Sequence, residues 1–197
     1  MKKKLKRRLR IGGLILLVAA GAWWLSSCES FFFKTSHIFY DHHHFDDLIQ
    51  STAAKYGLDA RLVKSLIYQE SRFDPRAVGT SGEIGLMQIL PRGAVADWAK
   101  AMKCRQPSEN KLFEPAVNLD IGCWYLARAV NRWREYDNGL ELALAQYNAG
   151  PTRAGEWKPD TLDGPVLDRI TIPSTRKYVS EIMKRYEYYC ENIPFNE

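Results

Sequence analysis

Glu70 is the residue of this chain best placed to do chemistry. It closes an apolar run with helical spacing, Leu62-Val63-Lys64-Ser65-Leu66-Ile67-Tyr68-Gln69-Glu70, and Ser71 and loop-forming residues follow it. A carboxylic acid at an apolar helix end loses hydration, which disfavours its charged form and raises its pKa toward that of a proton donor at neutral pH. Protonating the bridging oxygen of a glycosidic bond is chemistry that such an acid serves. A Glu-Ser pair standing alone describes a solvated helix end equally well, so the residues around it decide.

Four further motifs follow in order: Gly85-Leu86-Met87-Gln88-Ile89, then Asn118 with Gly122, Tyr125 and Leu126, then Ala143 to Pro151, then Ile172-Pro173-Ser174-Thr175-Arg176-Lys177-Tyr178-Val179. Leu86, Met87 and Ile89 read as core. Gln88 is different, because an amide among apolar neighbours needs a partner and can donate and accept along one face of a sugar. In Tyr147-Asn148-Ala149-Gly150-Pro151, Gly150 can take positive φ and Pro151 stops a helix. Neither explains the aromatic ring and the amide before them, which suit the stacking and hydrogen bonding of a carbohydrate cleft. Thr175 reads as the N-cap of a last helix, with Tyr178 its first inward residue.

This ordered set resembles the soluble-lytic-type catalytic domain of bacterial lytic transglycosylases, which is similar in turn to goose-type lysozyme. The resemblance covers roughly Phe45 to Tyr189. It implies a mainly α fold, a lysozyme-like helical domain with a substrate cleft and at most a short β-hairpin. It also implies a peptidoglycan (murein) lytic transglycosylase, in which Glu70 and Tyr178 are catalytic and Ser71, Gln88, Tyr147 and Asn148 bind the sugars. One carboxylate then suffices, because the substrate's own N-acetyl group replaces the second, an exception to the two-carboxylate rule. The partner implied is the peptidoglycan glycan strand, and no cofactor is called for.

Two residues depart from the family pattern. Gln146 stands where alanine is common, and Glu83 stands where small or polar residues are frequent. Glu83 reads as a solvated carboxylate in a loop rich in Gly and Ser. A place in the cleft would instead favour a water-using muramidase of the goose-lysozyme type, which is the alternative function. A non-catalytic wall-binding protein is the other alternative, and it would have no need of a proton donor.

Net charge is +5, yet seven of the 28 Lys and Arg fall in the first ten residues and no acidic residue precedes Glu29. Removing those seven from 28 leaves 21 basic against 23 acidic residues. The basic character belongs to the leader, and nucleic-acid binding has no footprint elsewhere. That leader reads as a signal peptide over residues 1–28: basic Lys2 to Arg10, apolar Ile11 to Leu25, then Leu25-Ser26-Ser27-Cys28. The last four residues resemble a bacterial lipobox, with Cys28 the lipidated residue. Left uncleaved, the same segment would be an N-terminal membrane anchor. Either way the expected location is the cell envelope, membrane-attached with the catalytic domain in the periplasm.

Residues 29–44 read as a tether, 45–192 as the catalytic domain and 193–197 as a C-terminal tail. All four histidines, His37, His42, His43 and His44, fall in the tether, where adjacent residues cannot all point at one ion, so no metal site is expected. An exported compartment permits disulfides. Cys104 in a polar loop and Cys123 early in a helix would staple that loop, worth about 3 kcal/mol, with other pairings open. Helical patterns run Phe45 to Tyr56, Asp59 to Arg72, Pro91 to Met102, Pro115 to Tyr136, Leu140 to Asn148 and Thr175 to Asn192. Strand alternation is confined to a short hairpin candidate between Ala77 and Gln88.

Overall fold

The structure is a computed structural model and describes residues 43–192. The signal segment with Cys28, the tether before His43 and the tail at 193–197 lie outside the described residues. Eight α-helices are found among them: α1 (Asp46–Lys55), α2 (Ala60–Ser71), α3 (Ala96–Ala101), α4 (Glu109–Leu112), α5 (Pro115–Trp133), α6 (Gly139–Ala149), α7 (Pro151–Trp157) and α8 (Pro173–Asn192). A π-helical turn, Pro91–Val95, leads into α3, and a 3-10 turn, Leu167–Arg169, precedes α8. None of these helices is long and apolar enough to cross a membrane.

The local chemistry of each helix is conventional. The Asp59 side chain accepts from Arg61 N at 2.8 Å and caps α2, as its sequence position predicts. Pro115 and Pro151 occupy first-turn positions, where a missing N–H leaves no bond unmade. Pro151 therefore stops α6 and starts α7, with Gly150 at φ 89° between them. α2 and α6 are buried on nearly every side, through Leu62, Val63, Leu66 and Ile67 on one and Leu142 to Gln146 on the other. Helices that present apolar residues on most of their circumference belong inside, and the polar groups they carry inward must find partners.

α8 packs along α2 and α6, and α5 packs against α6. Tyr178, Val179, Ile182 and Tyr189 are its inward residues, each worth roughly 1.5–3 kcal/mol on burial. Two polar ties add register. Lys64, 1% exposed, donates to both carboxylate oxygens of Asp46 at 2.6 and 2.8 Å, joining α2 to α1. The Tyr56 hydroxyl donates to Asp120 at 2.8 Å, joining the end of α1 to α5.

Several expectations change. The hairpin candidate reduces to two isolated bridges, Val78 to Ile84 and Ile84 to Ile89. Thr175 is not a cap: α8 already starts at Pro173, and the buried Thr175 hydroxyl donates to Asn148 Oδ1 at 2.8 Å. The Cys104–Cys123 staple does not form, and both thiols are free. The register of α5 turns Cys123 into the core, its Sγ 3.9 Å from Met87 Sδ, while Cys104 stays exposed. Burial, aided by the charge of Asp120, pushes the Cys123 thiol up to about 12, so it is inert as a nucleophile. The unusual Gln146 is accounted for: its Oε1 accepts from Trp133 Nε1 at 2.9 Å, holding α5 to α6.

Candidate active site

Glu70 lies in the last turn of α2, and the chain leaves that helix abruptly. Arg72 and Phe73 take φ of 55° and 65°, left-handed values that cost a non-glycine residue roughly 1 kcal/mol or more each. Phe73 is fully buried, which offsets the strain. The segment from Ile84 to Ile89 then passes beside the helix end and is fixed by Asn118 of α5. Asn118 accepts from Met87 N at 2.8 Å and donates to Ile84 O at 2.8 Å and Leu112 O at 2.7 Å.

Two glycines permit this approach. A Cβ on Gly85, whose φ is 77°, would lie 2.3 Å from Asn118 Nδ2. One on Gly122 would lie 2.4 Å from Met87 Sδ. Tyr147 of α6 completes the clamp, its hydroxyl donating to Met87 O at 2.8 Å and its ring edge-to-face with Tyr125 at 5.6 Å between centroids.

A groove of about 350 Å³ results, walled by Glu70, Ser81, Glu83, Gln88, Tyr125, Tyr147 and Asn148 together with apolar residues from Ile89 to Ala94. Tyr178 of α8 reaches Glu70 from behind and donates to its Oε1 at 2.5 Å. Burial raises the Glu70 carboxyl from 4.5 to about 7, the Tyr178 hydrogen bond works against that rise, and the charge of Glu83 adds to it. Burial first, and then the charge of Glu70, hold the Tyr178 and Tyr147 phenols well above their ordinary range. Tyr178 is therefore a donor throughout the working pH range. A carboxyl poised near neutrality at the edge of a polar groove can give a proton and take one back.

The other sequence-predicted residues divide. Gln88 faces the groove with φ 45°, its Nε2 engaged with Gly85 O at 2.9 Å and Ala77 O at 3.2 Å, which leaves Oε1 to accept from a ligand. Asn148 is exposed on the groove wall, its Oδ1 held by Thr175, which leaves its amide N–H groups to donate. The Tyr147 ring lines the groove although its hydroxyl is committed to Met87. Ser71 does not face the groove. Its buried hydroxyl donates to Leu86 O at 2.8 Å, because the serine follows Glu70 by one helical position and so points about 100° away.

Sequence reasoning did not single out Ser81, which gives no signal in a loop of Ser and Gly; Glu83, read there as a solvated loop carboxylate, is half-exposed and lines the groove. Among the described residues no group of three or more His, Cys, Asp or Glu is placed to hold a metal ion.

Comparison with known proteins follows the same lines. The family model described as the transglycosylase SLT domain matches residues 47–164. The membrane-bound lytic murein transglycosylase E of Buchnera aphidicola is 42% identical over 84 residues, covering 42% of this chain and 38% of that one. The membrane-bound lytic murein transglycosylase C of Yersinia enterocolitica is 36% identical over 111 residues, covering 52% and 30%. The chain thus matches only about a third of the length of these relatives.

Among solved structures, an inactive glutamate-to-glutamine mutant of the lytic transglycosylase Slt from Pseudomonas aeruginosa superposes with a TM-score of 0.67 at 27% identity, over 77% of this chain and 24% of that one. The 70 kDa soluble lytic transglycosylase of Escherichia coli shares the fold, with a TM-score of 0.65 at 24% identity over 76% and 24%.

Proposed function

The chain belongs to the transglycosylase SLT domain family, and from that premise we propose that it is a peptidoglycan lytic transglycosylase. It cleaves the β-1,4 bond between N-acetylmuramic acid and N-acetylglucosamine and leaves a 1,6-anhydromuramoyl end. The observation that carries the reading is the pairing of Tyr178 with Glu70 at the groove. Tyr178 lies beyond the span that the family model matches, so what supports its role is this contact together with the resemblance of the motif that carries it.

In the first half-reaction Glu70 gives its proton to the bridging oxygen. The C1–O bond breaks, and the carbonyl oxygen of the substrate's own N-acetyl group bonds to the anomeric carbon. The product strand leaves carrying the proton. In the second half, Glu70, now a carboxylate, takes the proton of the muramic acid primary hydroxyl. That oxygen bonds to C1, releases the N-acetyl oxygen and closes the anhydro ring, so no water is consumed. Tyr178 fixes Glu70 against the reacting oxygen, and such positioning is worth orders of magnitude in rate. Gln88 accepts from and Asn148 donates to the sugars, with the Tyr147 ring as an apolar wall.

Relatives named as membrane-bound support attachment to a membrane of the cell envelope. Lipidation at Cys28, with the catalytic unit at 45–192 in the periplasm, is the finer form of that reading. Digestion of sacculi with the full chain tests the function. Wild type is expected to release ends one water lighter than hydrolysed ends, and Glu70→Gln to release none. Cleavage that persists in the variant would remove Glu70 from its role, and ends carrying added water would assign a muramidase instead. Mass spectrometry of the expressed Cys28→Ala variant, expected to lack an acyl mass present in wild type, tests the anchor.

A further inference from the structure

We infer that Glu83 is a positioning residue of this groove, a fixed negative charge that holds the proton on Glu70 until the glycosidic oxygen takes it. The inference rests on the lytic reading above and adds a residue to it.

The loop that carries Glu83 is built to aim it. Gly79 N donates to Glu83 O at 2.8 Å, closing a short turn through Gly82 at φ 90°. The Glu83 carboxylate accepts from Ser81 N at 2.9 Å, which ties it to its own loop at the half-exposed rim of the groove. Gly79 leaves the room that the arrangement needs. A Cβ there would stand 2.3 Å from Glu83 Oε2 and 2.8 Å from Gln88 Oε1. Any larger residue at position 79 pushes both groups from where they stand. Glu83 and Gln88 thus converge over one bare stretch of backbone, and both line the groove that Glu70 lines.

Nothing neutralises that charge. No lysine or arginine is among the residues lining the groove, and Glu83 takes part in no ion pair among the described residues. The titratable groups that act on Glu70 or share its groove are Tyr178 from α8, Tyr147 from α6 and Glu83 from the loop, with Tyr125 of α5 further along the groove wall. The three phenols are all shifted above their ordinary range and remain neutral. Glu83 is therefore the one full charge facing the acid among the described residues. Two carboxylates lining one groove, one of them buried, resist being ionised together.

The consequence suits both halves of the reaction. Before cleavage the repulsion favours Glu70 protonated, as an acid must be. After the proton has gone, the same repulsion makes the Glu70 carboxylate a stronger base toward the primary hydroxyl. A neutral residue at 83 would weaken both steps.

The test compares the full chain with Glu83→Gln, which keeps an oxygen for Ser81 N and removes only the charge. Titration of ¹³C-labelled glutamate by NMR reads the Glu70 carboxyl without reference to activity. The midpoint is expected near 7 in wild type and lower in the variant by about half a pH unit to one unit. The alkaline limb of kcat/KM on peptidoglycan is expected to move down by the same amount, with anhydro ends still formed.

Coincident titrations in the two proteins would overturn the inference and leave the lytic reading untouched. Loss of hydrolysed ends in the variant without movement of the titration would overturn it in another way, by assigning Glu83 to activation of water. A wild type that forms no anhydro ends would sink the lytic reading while the titration still judged the electrostatic coupling. Gly79→Ala, expected to displace Glu83 and lower the Glu70 midpoint while leaving both carboxylates in the chain, is the second variant.

Discussion

Glu70→Gln should make this protein more stable at alkaline pH even as it abolishes catalysis. In the unfolded chain the Glu70 carboxyl ionises near 4.5, and in the folded chain near 7. Between those values the folded protein keeps a proton that the unfolded chain has lost, so stability falls as pH rises through the window. Above 7 the whole penalty is present, and below 4.5 it is gone. Each pH unit is worth 1.36 kcal/mol, and water at the groove edge screens part of it, which leaves about 2–3 kcal/mol.

Glutamine is neutral at every pH and can still accept from the Tyr178 hydroxyl. The variant should therefore unfold roughly 5–10 °C above wild type at pH 8 and together with it at pH 4. Differential scanning calorimetry of the two full chains from pH 4 to pH 9 measures this directly. A gap in Tm that is the same at both ends would show that burial does not penalise the Glu70 charge, and the account of the acid would fail with it.

Tyr178→Phe keeps the buried ring and removes the donor that favours ionised Glu70. Since a hydrogen bond to a charged group is worth about 1.5–3 kcal/mol, the alkaline limb of the pH–rate profile should rise by about one to two pH units while kcat falls roughly 10–100-fold. Asn118→Ala leaves Met87 N, Ile84 O and Leu112 O without partners in the core. Denaturant unfolding should show a loss of roughly 3–5 kcal/mol, and a loss under 1 kcal/mol would mean that the 84–89 segment holds itself. Gly122→Ala forces Met87 aside and should cost about 1–3 kcal/mol together with a fall in kcat, read by the same unfolding assay and by muropeptide release. Lys64→Met strips Asp46 of its buried cation and should destabilise by about 2–3 kcal/mol; a stabilised variant would show that the added apolar contact outweighs the pair.

Much of the fold was legible because its signals are local. Asp59 as a cap, Pro115 as a first-turn residue and the apolar run before Glu70 each act within a turn or two, so chain order alone reveals them. The short helices Glu109–Leu112 and Pro151–Trp157 escaped, being too brief to show a period and held by packing. The helix at Pro91 was placed correctly, but its first five residues wind as a π-turn that no spacing foretells.

The site divides in the same way. The chain by itself determined that a carboxylate ends a buried helix and that an aromatic and an amide end another. Whether those groups meet was a tertiary decision. Tyr178 stands 108 residues from Glu70 and reaches it only because α8 packs along α2. Helical register likewise turned Ser71 onto Leu86 and Cys123 onto Met87, and the bare backbone of Gly79 left room for Glu83 at the groove wall. Periodicity says which side of an element is inward. What waits there is fixed by surfaces distant in the chain that exclude water together, and no local pattern records them.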